Sequence, residues 1–133
     1  MALIEWSDKD FSVGVPDIDE QHREWIGIIN RLHDALLSPE AGDYKYTLFK
    51  ELLAYTDLHF SDEERLMEDI DYPHLQKHKE MHYFFKTQIL EQVQMLFKGE
   101  PIMMSQVMSQ LKHWLTEHIM KEDMKFGKYI SHR

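Results

Sequence analysis

Along four long stretches of the chain, apolar residues recur every three or four positions, and most of the 5 Gly and 4 Pro fall between or outside those stretches. This period marks amphipathic α-helices, each with one face turned to a shared core. The pattern predicts helices over about 19–37, 44–70, 74–98 and 101–127. Their stripes are His22, Trp25, Ile26, Ile29, Leu32 and Leu36; then Leu48, Leu52, Tyr55, His59, Glu63, Leu66 and Ile70. The third carries His78, His82, Phe85, Ile89, Val93 and Leu96, and the fourth Val107, Leu111, Trp114, Leu115, His118 and Ile119. Turns are expected at Ser38–Asp43, Asp71–Pro73 and Gly99–Pro101. Residues 1–16 lack a helical period and read as an extended arm, with Asp17 or Asp19 capping the first helix. Short connections force neighbouring helices to run antiparallel. The expectation is therefore all-α: one up-down-up-down four-helix bundle, with an N-terminal arm, over 1–133.

Seven polar residues interrupt these stripes: His22, His59, Glu63, His78, His82, His118 and Asp123. Burying such groups without partners costs several kcal/mol, about 1–3 on protein scales and more for a charge. Metal is the compensation that suits them together. Residues four apart on a helix differ by about 40° in direction and one turn in height, so His59 with Glu63, and His78 with His82, can converge on one point. Imidazole suits iron, copper, zinc and nickel, and a carboxylate can span two ions. Five imidazoles and two acids overcrowd one ion, but they serve two ions that share Glu63 and Asp123 and leave a position open. His118 and Asp123 present a conflict, because five residues advance about 140° around an α-helix and point the side chains apart. A wide π-type turn or another helix irregularity between Ile119 and Asp123 would bring them together.

Taken singly, each residue has a plainer reading. A lone buried histidine such as His22 is more often a hydrogen-bonded core residue, and Glu63 alone could be a charge on a helix surface. The joint alignment on four stripes is what favours metal. His33, His113 and His132 read as boundary or surface residues. His74 has the same spacing to His78 as His78 has to His82, but it sits in the least regular first turn of its helix, so His78 and His82 are the expected pair.

Composition narrows the chemistry further. Lys plus Arg total 15 against 24 Asp plus Glu, a formal net charge of -9, which disfavours nucleic acid and anionic membrane surfaces as partners. No run of about 18 apolar residues is present, and the start lacks a secretory pattern, so a cytoplasmic location is expected. With 0 Cys, any metal must be held by nitrogen and oxygen. The 9 Met, including Met103, Met104 and Met108, read as gap fillers.

Several segments together carry a resemblance. They are Trp6 with Ser12-Val13-Gly14-Val15; Ile18-Asp19-Glu20-Gln21-His22; His59-Phe60-Ser61-Asp62-Glu63-Glu64 followed by Met67; Tyr72-Pro73 with His78 and His82; and Trp114-Leu115-Thr116-Glu117-His118-Ile119 with Asp123. In these the chain resembles the single-domain hemerythrins of bacteria, the bacteriohemerythrins. The resemblance implies two non-haem iron ions with an oxo or hydroxo bridge. His78, His82 and His118 would hold one, His22 and His59 the other, and Glu63 and Asp123 would bridge. Leu115, Trp114 and Ile119 would line an apolar oxygen pocket. The implied role is reversible dioxygen binding without catalysis by a monomer, for storage, transport or delivery to an oxygen-consuming enzyme. The alternative is a redox enzyme or sensor acting on peroxide, nitric oxide or dioxygen. No histidine has Glu three positions before it, so the ligand pattern of the ferritin-like di-iron carboxylate proteins is missing.

Overall fold

Pro16 opens the first long helix of the computed structural model, its fixed φ suiting a position where the missing N–H is no loss. The structure describes residues 3–38, 43–99 and 104–132. Among these the helices are α1 (Asp8–Phe11), α2 (Pro16–Leu37), α3 (Tyr44–Asp69), α4 (Leu75–Phe97), α5 (Met104–Glu117), a π-helix (His118–Asp123) and α6 (Met124–Ser131). The last three form one continuous rod, the fourth long helix of the bundle. Residues 39–42 and 100–103, which include most of two expected turns, the expected start of the fourth helix and Met103, lie outside the described residues.

The core is built as the stripes foretold, with α3 rotated slightly. Leu48, Leu52, His59 and Glu63 are buried there, but so are Phe49, Thr56, Phe60 and Met67, while Tyr55, Leu66 and Ile70 sit at the half-buried edge. Trp25 crosses from α2 to this face and donates from Nε1 to Thr56 Oγ1 at 3.0 Å. Opposite, Phe85 of α4 stacks on Trp114 of α5 with centroids 3.9 Å apart. These contacts hold the four long rods around one interior.

Two turns are fixed by backbone chemistry. α3 ends with Asp71 in the left-handed region (φ 55°), where the Asp71 N–H bonds to Glu68 O at 3.2 Å and the Tyr72 N–H to Met67 O at 2.9 Å. This is the paired closure of a Schellman motif, and Asp is one of the few side chains that tolerate it. Met67 and Tyr72 then pack with Phe126 in a small second core. After α4, Gly99 adopts φ 74° at the same kind of stop.

The arm differs from expectation. It is not extended throughout, because α1 forms one turn at Asp8–Phe11, where Ser7 Oγ accepts from the Asp10 N–H. A single turn is too short to show a period. Neither Asp17 nor Asp19 caps α2: the helix begins at Pro16 with Val15 before it. The Asp19 carboxylate instead turns back and accepts from the Val13 N–H (2.8 Å) and Ser12 Oγ (2.6 Å), tying the arm down.

The arm also seats against α6. A Cβ at Gly127 would lie 1.9 Å from the Val13 carbonyl oxygen and 2.9 Å from its carbonyl carbon, so backbone would meet side chain. We expect Gly127→Ala to lower stability by roughly 1–3 kcal/mol, the range for overpacking. Denaturant midpoints measure it, and protease sensitivity near Val13 shows whether the arm is what yields.

Candidate metal centre

Every long helix delivers donors to one point. α2 contributes His22, α3 His59 and Glu63, α4 His78 and His82, and the π-helix His118 and Asp123. All are between 0% and 4% exposed. The π-helix is the wide turn that the His118 and Asp123 spacing required, and it brings both side chains to the same side. Its sixth residue faces the interior where an α-helix would have rotated it away.

The seven side chains form two groups that share both acids: His78, His82 and His118 with Glu63 and Asp123, and His22 and His59 with Glu63 and Asp123. Within each group, donor atoms lie within 4.8 Å of one another. Each carboxylate divides its oxygens between the groups. Glu63 Oε1 is 2.7 Å from His78 Nε2 and 3.3 Å from His82 Nε2, while Oε2 is 3.5 Å from His59 Nε2. Asp123 Oδ1 is 3.0 Å from His78 Nε2 and 3.3 Å from His118 Nε2, while Oδ2 is 3.1 Å from His22 Nε2. His82 Nε2 and His118 Nε2 face each other at 3.2 Å. At that distance a single proton, or a metal ion that both nitrogens could ligate, can lie between the two rings.

Several of these atoms lack hydrogen bonds although buried: both nitrogens of His22, His59 Nε2, Glu63 Oε2 and both Asp123 oxygens. Buried polar groups are almost always paired, and a cluster of orphans at one place calls for a ligand. The donor set is imidazole and carboxylate, which suits iron.

Outside the donors, partners fix which ring nitrogen faces inward. Gln21 Oε1 accepts from His59 Nδ1–H at 2.7 Å, and Gln21 Nε2 donates onward to Asp62 Oδ2 at 2.9 Å. Glu64 Oε2 accepts from His82 Nδ1–H at 2.7 Å. In the neutral ring that a metal would require, each histidine therefore presents its Nε2 lone pair to the centre. The spacing argument missed Gln21, Asp62 and Glu64, although each directly precedes or follows a donor, because neighbours on a helix shoulder show no stripe.

Aromatic rings wall the site. Phe60 lies flat on His82 with centroids 3.7 Å apart and planes 1° from parallel, and Trp114 stacks on His118 at 4.4 Å. Leu115 and Ile119 are fully buried, and Trp114 is half-buried. His74 stands exposed just before α4, outside the cluster, and His113 and His132 are also exposed.

Charge is concentrated here without metal. Burial opposes a proton on His22 and His78, but the Asp123 and Glu63 carboxylates outweigh it, raising His22 to about 9 and His78 to about 10. Burial dominates at His59 and lowers it to about 4. Burial and mutual repulsion would raise both acids, yet the surrounding imidazoles hold Glu63 and Asp123 well below the usual carboxylate range. In the metal-free chain at pH 7, His22 and His78 are thus protonated. Their Nε2 atoms must shed those protons to bind a metal. Loading at pH 7 in weak buffer should then release protons from the raised histidines, His22 and His78 and also His82, which Glu63 and Glu64 raise against the opposing effect of burial. Calorimetry in buffers of different ionisation enthalpy counts them, and no release would contradict the assignment.

Fold and site together define a helical-bundle protein built to hold paired metal ions. A family model for the hemerythrin HHE cation binding domain matches residues 13–130, and the chain belongs to that family. It is 34% identical over 130 residues to the bacteriohemerythrin of Stenotrophomonas maltophilia, covering 98% of this chain and 83% of that one. Against the bacteriohemerythrin of Pseudomonas aeruginosa it is 33% identical over 132 residues, covering 99% and 84%. Crystal structures of hemerythrin, wild type included, match with a TM-score of 0.90 at 25% identity, covering 96% of this chain and 97% of theirs. The family's cofactor is a non-haem di-iron centre, and the clustered donors fit it. Among the described residues, no helix is long and apolar enough to cross a membrane.

Proposed function

We propose that this chain binds dioxygen reversibly at a di-iron centre, serving oxygen storage, transport or delivery rather than catalysis. His78, His82 and His118 would hold one iron, His22 and His59 the other, and Glu63 and Asp123 would span both. When bound, the iron pair supplies electrons that dioxygen borrows on binding and returns on release.

The observation that carries this reading is the split of each carboxylate: one oxygen toward the three-histidine group, the other toward the two-histidine group. Counting donors then gives three imidazoles to one position and two to the other. The position with fewer protein donors has a place for a small exogenous ligand. Leu115, Ile119 and Trp114 would supply the apolar wall that keeps water from it, and a dry wall disfavours escape of a charged reduced-oxygen species. The many imidazoles and few carboxylates favour the reduced metal state, so this set holds dioxygen rather than cleaving it.

The test is spectroscopic. Iron-loaded protein in air should contain about two irons per chain and show a visible band that bleaches on degassing and returns with oxygen. Irreversible loss of that band, together with fast turnover of peroxide or nitric oxide by an electron donor, would replace oxygen carriage with a redox role.

A further inference from the structure

The outer nitrogens of His59 and His82 end on different chemistry. On the two-histidine side, His59 Nδ1–H donates to a neutral amide, Gln21 Oε1, at 2.7 Å. That amide is oriented by Asp62, which accepts from its Nε2 at 2.9 Å, so Gln21 must present its oxygen and not its NH2 to the ring. On the three-histidine side, His82 Nδ1–H donates at the same distance to a carboxylate, Glu64 Oε2. Glu64 is only 25% exposed at its side chain, and Phe60 lies flat on the His82 ring, so the pair is shielded from full solvent competition and the ring cannot swing.

A hydrogen bond to an anion is about twice as strong as one to a neutral acceptor, and it draws the Nδ1 proton outward. Electron density then moves to Nε2, which becomes the better donor to a metal. An amide in the same place fixes orientation but pushes much less. We propose that Gln21 and Glu64 are positioning residues that set unequal donor strengths for the two halves of the centre, Glu64 making His82 the stronger imidazole and Gln21 keeping His59 the weaker. The inference rests on the ligand assignment proposed above. It adds a cause of asymmetry separate from the count of histidines: the acceptor behind the ring.

Glu64→Gln tests it without deleting the bond, because the new amide oxygen can still accept from His82 Nδ1. The reciprocal variant is Gln21→Glu with Asp62→Asn, which sets a carboxylate behind His59 and lets the Asn amide donate to it in place of two adjacent anions. Metal-free wild type and both variants are titrated with Co2+, and each binding step is followed by absorption. The exchangeable Nδ1–H resonances of the cobalt-loaded chains are recorded by NMR. Outer partners of metal-bound histidines typically change affinity by about 10–100-fold. Glu64→Gln should weaken one step within that range and shift the His82 Nδ1–H resonance alone. The paired variant should tighten the other step and shift only that of His59.

Equal changes in both steps, or unchanged affinities with unchanged resonances, would overturn the proposal. A wild-type chain that binds no Co2+ at all would instead bring down the ligand assignment, so the two failures are distinguishable. Circular dichroism of each variant separates a donor effect from a folding defect, since unfolding would erase both steps together.

Discussion

Replacing Glu63 with glutamine is expected to cost the chain its metal pair and much of its metal-free stability. Glu63 is fully buried, and its oxygens lie within 2.7 to 3.8 Å of His78, His82, His59 and His22. The amide removes the one fully buried negative charge that α3 places among the inward-facing Nε2 atoms, Glu64 lying behind His82 at its outer nitrogen. Removing one partner of a buried ion pair typically costs about 3–5 kcal/mol. Iron content should fall from about two per chain to one or none, because no other group on α3 can span both positions.

The pH dependence gives the prediction a second edge. Raised histidines stabilise the fold below their unfolded value, and that contribution fades as pH climbs through the folded values, about 9 for His22 and about 10 for His78. A depressed acid acts oppositely: its contribution is present above the ordinary carboxylate value and is lost as pH falls through the folded one. The stability gap between wild type and Glu63→Gln should thus be widest between these limits and close in strong base. Urea unfolding with a chelator present, run from acid to alkaline pH, reads it directly. Two irons per chain in the variant, or a gap that ignores pH, would refute the bridging role.

Phe60→Ala should produce the next largest effect. Phe60 is 2% exposed and sits among His82, Trp25, Phe85 and Trp114, with centroid distances from 3.7 to 6.1 Å. Truncating a buried phenylalanine costs about 3–5 kcal/mol, the loss of transfer energy plus the cavity left behind. Here the cavity would open against a metal-facing imidazole, freeing the ring to tilt and admitting water. Stability should drop by that amount, and the oxygenated spectrum should decay faster than in wild type. Phe60→Leu, which refills most of the volume, separates the two consequences. If it restores stability but not the lifetime of the spectrum, the flat ring matters for its shape; if both effects are absent in Phe60→Ala, the packing argument fails.

The sequence made the donor side chains legible because each occupies a place where a leucine or isoleucine would otherwise stand. It also betrayed the π-helix: two polar residues five apart cannot share an α-helical face, so an interior role for both demanded a local change of pitch. What stayed hidden has a common physical cause. Gln21, Asp62 and Glu64 act through partners on other helices, and a polar residue at a helix shoulder is equally at home facing water. Phe60 and Thr56 were obscured by rotation of α3, since a turn of a few tens of degrees exchanges edge and centre without disturbing the period. The one-turn α1 and the inward reach of Asp19 depend on the arm lying against the bundle, a tertiary fact that local propensity does not encode.

Because the last rod carries His118 and Asp123, and because Gly127 receives the backbone of Val13, neither half of the donor set is complete until the chain has been made through residue 123. A nascent polypeptide still on the ribosome has the histidines of its earlier helices but not the aspartate both groups share. A polypeptide stopped before residue 118 would carry scattered imidazoles and no cage to fill.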